Sequence, residues 1–140
     1  MEPHGTYRIQ LLDRVIYVSA KGPFNDDAVK AYSRDLTSSI QTLAPDPWSL
    51  CAVFKNESLF TPEAETELTA VTRWRKDKGM HCVAVVLQDI REKVIFQAQM
   101  EKIYSTVGVT HAFFDDTASA FSWLAEHGFP CTTIHSGETD

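Results

Sequence analysis

The 140-residue sequence predicts a single-domain α/β fold: a five-stranded, mixed but mostly parallel sheet with four helices. Three observations carry that prediction. Apolar strand-like runs alternate with segments whose apolar residues recur every three or four positions, the pattern of parallel α/β units. Two runs, "WSLCAVF" (48–54) and "HCVAVVL" (81–87), are apolar almost throughout, as strands covered on both faces are. Only the first two strand-like runs adjoin without a helix between them, so one antiparallel pair is expected. The element order is β-β-α-β-α-β-α-β-α. It fills residues 1–130 as one domain and leaves 131–140 as a tail expected to be mobile.

In "TYRIQLL" (6–12), Tyr7, Ile9 and Leu11 alternate with Arg8 and Gln10, the two-residue period of a half-buried strand. Asp13 and Arg14 join it to "VIYVSA" (15–20), rich in β-branched and aromatic residues, and the two runs read as a hairpin. Gly22 and Pro23 end the second strand. Asn25 is a good N-cap, and Asp26 and Asp27 put negative charge at the positive end of the first helix. Its buried stripe is Val29, Tyr32, Leu36, Ile40 and Leu43, and Pro45 and Pro47 stop it. After the third strand comes "FKNESLFTPEAETEL" (54–68), which opens a second helix carrying Leu68, Val71 and Trp74 and stopping at Gly79. The fourth strand follows, then "DIREKVIFQAQMEKIYSTVG" (89–108), a third helix closed by Gly108. "THAFF" (110–114) is a short strand. "DDTASAFSWLAEHG" (115–128) is a final helix with an Asp cap and Gly128 just past its end.

The 13 basic and 19 acidic residues leave a formal charge of −6. That argues against nucleic acid as a partner, because phosphates need a basic face. The one basic run, "RWRKDK" (73–78), sits where a helix ends, and cations there oppose the negative end of the dipole. No run approaches the roughly 18 apolar residues of a membrane span, so no membrane insertion is expected. The start "MEPHGTYR" lacks a secretory pattern, and Cys51, Cys82 and Cys131 match no disulfide framework. A cytoplasmic location is expected.

Three local patterns join the element order: "VSAKGPFNDDAVKAY" (18–32), "LCAVFKNESLFTPEAETEL" (50–68) and "FFDDTASAFSWL" (113–124). Together they resemble the STAS or SpoIIAA-like superfamily of anti-sigma factor antagonists, from about Tyr7 to Phe129. The resemblance implies that fold and a non-enzymatic regulatory or protein-interaction module. In phosphoregulated members, an acidic residue followed by a Ser at the helix start forms the switch. Here Thr61 stands at the acidic position and Pro62 at the Ser position, which puts the phosphoswitch in doubt. Thr61-Pro62-Glu63 instead reads as cap, first-position proline and first-turn acid. Asn56, Ser58 and Thr61 remain the candidate anion or switch loop.

Ligands gather at the carboxyl ends of parallel strands in open α/β sheets, which makes Asp89, Asp115 and Asp116 a candidate polar cluster. Asp89 and Asp116 also stand where helix caps are needed. His127, Cys131 and His135 are spaced by four, but Gly128 and Pro130 break any helix there; no metal or cofactor is expected. No Gly-rich phosphate loop or nucleophile elbow occurs, so no catalytic residue is assigned.

The third helix is apolar on more sides than packing on one sheet face requires. Phe96, Met100, Ile103, Tyr104 and Val107 make one arc, Ile90, Val94 and Ala98 a second, and Ile95 points elsewhere. Ile90, Val94, Ile95, Phe96 and Met100 are therefore the candidate interface or pocket. A homodimer or other protein contact, packing against the hairpin, or a pocket for an apolar small molecule would each cover them. The last alternative is an analogy with Sec14-type lipid-binding proteins, which share the general topology.

Overall fold

A computed structural model describes residues 6–131 and carries the expected element order. Strands β1 (Thr6–Leu12) and β2 (Val15–Lys21) form the antiparallel hairpin. They are followed by α1 (Asp26–Leu43), β3 (Trp48–Lys55), α2 (Pro62–Asp77) and β4 (Met80–Gln88). Helix α3 (Lys93–Val107), β5 (Thr110–Phe114) and α4 (Thr117–Glu126) complete the domain. Strands β2 to β5 run parallel, and the sheet order is β1-β2-β3-β4-β5. Of the expected tail, 132–140 lie outside the described residues.

This sequential order decides the layering. Each crossover steps to the next strand in the same direction, and crossovers share one hand. Helices α1, α2 and α3 therefore lie on one face, while α4 covers the other. The larger core holds Ile16, Leu36, Leu50, Val85, Phe96 and Met100; the smaller, beneath α4, holds Val15, Cys51, Val53, Cys82 and Leu124. The near-continuous apolar run of β3 follows directly. Leu50 and Phe54 face one core, Cys51 and Val53 the other. The same order never reverses, so the sheet has no switch point to open the deep crevice of doubly wound folds.

Arg14 explains the hairpin turn. Asp13 adopts a left-handed conformation (φ 55°), while the Arg14 guanidinium reaches into the next layer. It donates to the carbonyls of Pro47 at 2.6 Å, Leu43 at 2.8 Å and Asp46 at 3.0 Å. These are oxygens left without helical partners where α1 is stopped by proline. The connection to α2 is equally tight. Trp48 Nε1 donates to Lys78 O at 2.9 Å, and a Cβ on Gly79 (φ 109°) would stand 2.8 Å from Asp46 O. Only glycine fits there.

Three expectations are corrected. Helix α2 runs to Asp77 with Lys78 as its cap, and the left-handed Gly79 stops it as expected, but it buries Ala64, Leu68, Thr72 and Arg75 rather than Leu68, Val71 and Trp74. Val71 is half-buried, Trp74 is 40% exposed, and Arg75 faces inward with 1% exposure. Helix α3 begins at Lys93, because 89–92 form a loop with Asp89 and Glu92 both left-handed. Leu11 is 40% exposed although Tyr7 and Ile9 on its side of β1 pack on the core, since β1 is an edge strand.

Candidate functional site

The strand ends form one surface. Lys21 ends β2, Asn56 and Glu57 follow β3, Asp89 follows β4, and Asp115 follows β5. Adjoining open grooves run across it, one lined by Lys21, Asn56, Glu57, Asp89 and Arg91, the next by Gln88, Asp89, Ile90, Lys93 and Asp115. Its loops are fixed by backbone bonds: Asn56 N–H donates to Gln88 O at 3.2 Å, and Arg91 N–H donates to Asn56 O at 3.0 Å. Asn56, Asp89 and Glu92 all hold left-handed conformations (φ 57°, 51° and 52°). Such backbone costs energy for a residue with a side chain and concentrates at functional surfaces.

The switch-loop candidates separate into three environments. Asn56 is exposed on this surface. Ser58 is fully buried and its hydroxyl donates to Lys55 O at 2.8 Å, so a modifying enzyme has no access to it. Thr61 caps α2, its Oγ1 accepting from Ala64 N–H at 3.1 Å, with Pro62 in the first helical turn. Sequence reasoning missed what holds this loop. Gln99 on α3 donates from Nε2 to Phe60 O at 3.0 Å, and its Oε1 accepts from Phe60 N–H at 3.2 Å. From the other side, Phe24 N–H donates to Leu59 O and Thr61 N–H to Phe24 O, each at 3.0 Å. Only backbone atoms meet Gln99, so no residue pattern announced it.

The acidic trio also divides. Asp116 caps α4, accepting from Ser119 N–H at 2.7 Å, and that bond holds its carboxyl below the usual range. Asp115 pairs with Lys93 at 3.0 Å. Asp89 lines the grooves but does not cap α3, whose N-cap position is Glu92 with no side-chain hydrogen bond. The described residues hold no group of three side chains placed for a metal. His127 is instead bonded through Nδ1 to Trp123 O at 2.8 Å, and Cys131 donates to Leu12 O at 3.4 Å. His135 lies outside the described residues. Burial pushes the Cys82 and Cys131 thiols up to about 11 and Cys51 higher still, so none is an activated nucleophile.

The five candidates around α3 belong to two populations. Phe96 and Met100 are wholly inside the main core, and Ile90 is half-buried against it. Val94 is 84% exposed and Ile95 52% exposed, projecting from the first turn beside the strand-end loops. The hairpin does not cover them, since β1 and β2 occupy the opposite side of the sheet from β4 and β5. The Glu57–Arg91 pair at 3.2 Å and the Lys93–Asp115 pair flank this patch with both signs of charge.

No protein-family model matches the chain, and the curated proteins and the solved structures likewise give no match. The fold class and element order expected from the sequence are those the structure displays.

Proposed function

We propose that this chain is a non-enzymatic interaction module of STAS-like architecture, which pairs with a second copy through the first turn of α3 and the adjoining strand-end loops. The observation that carries this reading is the exposure of Val94 and Ile95 on a surface whose backbone is pinned. Burying such side chains gains about 25 cal/mol per Å² of apolar area. Ala98, exposed one turn further on, lets another helix approach closely. A twofold axis sets a patch against itself, so a rim carrying Arg91 and Lys93 beside Glu57 and Asp115 suits self-recognition. Ser58 and Thr61 serve structure in this reading, and pairing is not governed by their phosphorylation. No helix among the described residues is long and apolar enough to cross a membrane, and three unpaired cysteines fit a reducing, cytoplasmic setting.

Sedimentation equilibrium tests the proposal. The wild-type protein should be a dimer, and the double substitution Val94→Glu with Ile95→Glu should leave a folded monomer with an unchanged circular dichroism spectrum. A monomeric wild type, or a dimer indifferent to both substitutions, would sink it.

A further inference from the structure

Between α1, α2 and the ends of β2 and β3 lies a cavity of about 30 Å³, walled by Ala28, Phe54, Phe60, Leu68, Tyr32 and Tyr104 among others. Most of these side chains are buried, but Tyr32 and Tyr7 are half-buried and close the outer side, ring to ring at 5.7 Å. Behind Tyr32 stands Arg75, buried to 1% exposure. The Arg75 Cζ lies 5.0 Å from the centre of the Tyr32 ring, and one terminal nitrogen donates to Ser33 Oγ at a long 3.3 Å. Its Nε has no hydrogen-bond partner, and no carboxylate of the described residues pairs with it. The phenol of Tyr104, pushed up by burial, feels the same cation as an opposing pull.

A guanidinium this deeply buried without a counter-ion is unfavourable, and a Met or Leu of similar bulk would pack there at no electrostatic cost. An arginine at position 75 has a physical rationale if an anion completes the site. The adjoining cavity states what kind. We propose that this space binds a small carboxylic acid with an aromatic or branched apolar body, the body entering between α1 and α2 and the carboxylate meeting Arg75. The cavity holds only a few atoms while Tyr32 covers it, so entry turns that half-buried ring outward and joins the cavity to the guanidinium. The carboxylate then accepts the donors of Arg75 that face inward, as a bidentate pair. This site is separate from the patch on α3 and does not depend on dimer formation.

Titration of the whole protein with phenylacetate and, separately, with uncharged 2-phenylethanol tests the idea, followed by calorimetry and by amide shifts of residues 28–32 and 72–75. Phenylacetate should bind at least about tenfold more tightly, a difference of roughly 1.4 kcal/mol. Arg75→Met should abolish that preference, Arg75→Lys should keep part of it, and Ala28→Leu, which fills the cavity, should stop both probes binding. Circular dichroism and the thermal midpoint report whether each variant folds. Failure of phenylacetate to bind, equal binding of the two probes, or a preference that survives Arg75→Met or is absent from Arg75→Lys would overturn the proposal.

Discussion

Helices α2 and α3 follow successive parallel strands, yet their first turns are built by opposite rules. The start of α2 satisfies every local preference: a Thr cap, a proline in the first turn, and Glu63 and Glu65 facing the positive end of the dipole. The start of α3 satisfies none. Glu92 is left-handed, its side chain caps nothing, Lys93 puts a cation at the positive end, and two β-branched residues stand in water. Natural sequences are consistent from local preference to fold except where something else is selected. The contrast marks α3 as the helix whose first turn local preference does not account for.

The comparison can be broken most sharply inside α3 itself. At a concentration low enough for the monomer, Phe96→Ala should cost about 3–5 kcal/mol in a denaturant titration, whereas Val94→Ala, two residues earlier, should stay within about 0.5 kcal/mol. Equal effects would mean that Val94 is covered in the monomer. The two starts should next respond in opposite directions. Thr61→Ala should destabilise by about 1 kcal/mol through loss of the cap. Glu92→Gly should stabilise by up to about 1 kcal/mol, because glycine adopts the left-handed conformation without strain. If Glu92→Gly destabilises instead, its conformation is not strained and the contrast fails.

The smallest expected effect comes from acid, and α4 provides it. The Asp116 carboxyl is held below its ordinary value of 3.8 by the Ser119 N–H. A depressed carboxyl contributes stability above its unfolded value and loses that contribution as pH falls through the folded one. An NMR titration should therefore show the Ser119 amide moving with a midpoint below 3.8, while Phe96 N–H, bonded only to Glu92 O, shows no such step. A Ser119 midpoint at or above that value would contradict the cap.

What the sequence disclosed was whatever depends on periodicity and on caps. The apolar runs of β3 and β4, the Asn25 and Thr61 caps and the terminal Gly108 are all local signals, and all appear in the fold. The inward face of α2 is not legible, because Trp74 and Val71 look like core and Arg75 does not. Apolarity cannot show that a guanidinium lies over Tyr32. The start of α3 is not legible in the sequence, because Asp89 and Ile90 continue the helical period while the backbone turns left-handed at Asp89 and Glu92. The separation of Val94 and Ile95 from Phe96 and Met100 also needed coordinates, since a helical wheel ranks apolar arcs without saying which one meets the sheet.

The strict neighbour-by-neighbour strand order has one more consequence, for how the chain is made. No strand must wait for a later one to be inserted between it and its partner, so each returning segment finds a finished edge to join. Each parallel pairing still spans a whole helix, as Val15 with Ser49 and Cys82 with Thr110 do, so these steps are slower than closing the hairpin. During synthesis the hairpin can serve as a template while the rest is still being translated. Growth would then proceed from one margin to the other, and the last strand added, β5, would be the first to let go under force applied at the C-terminus.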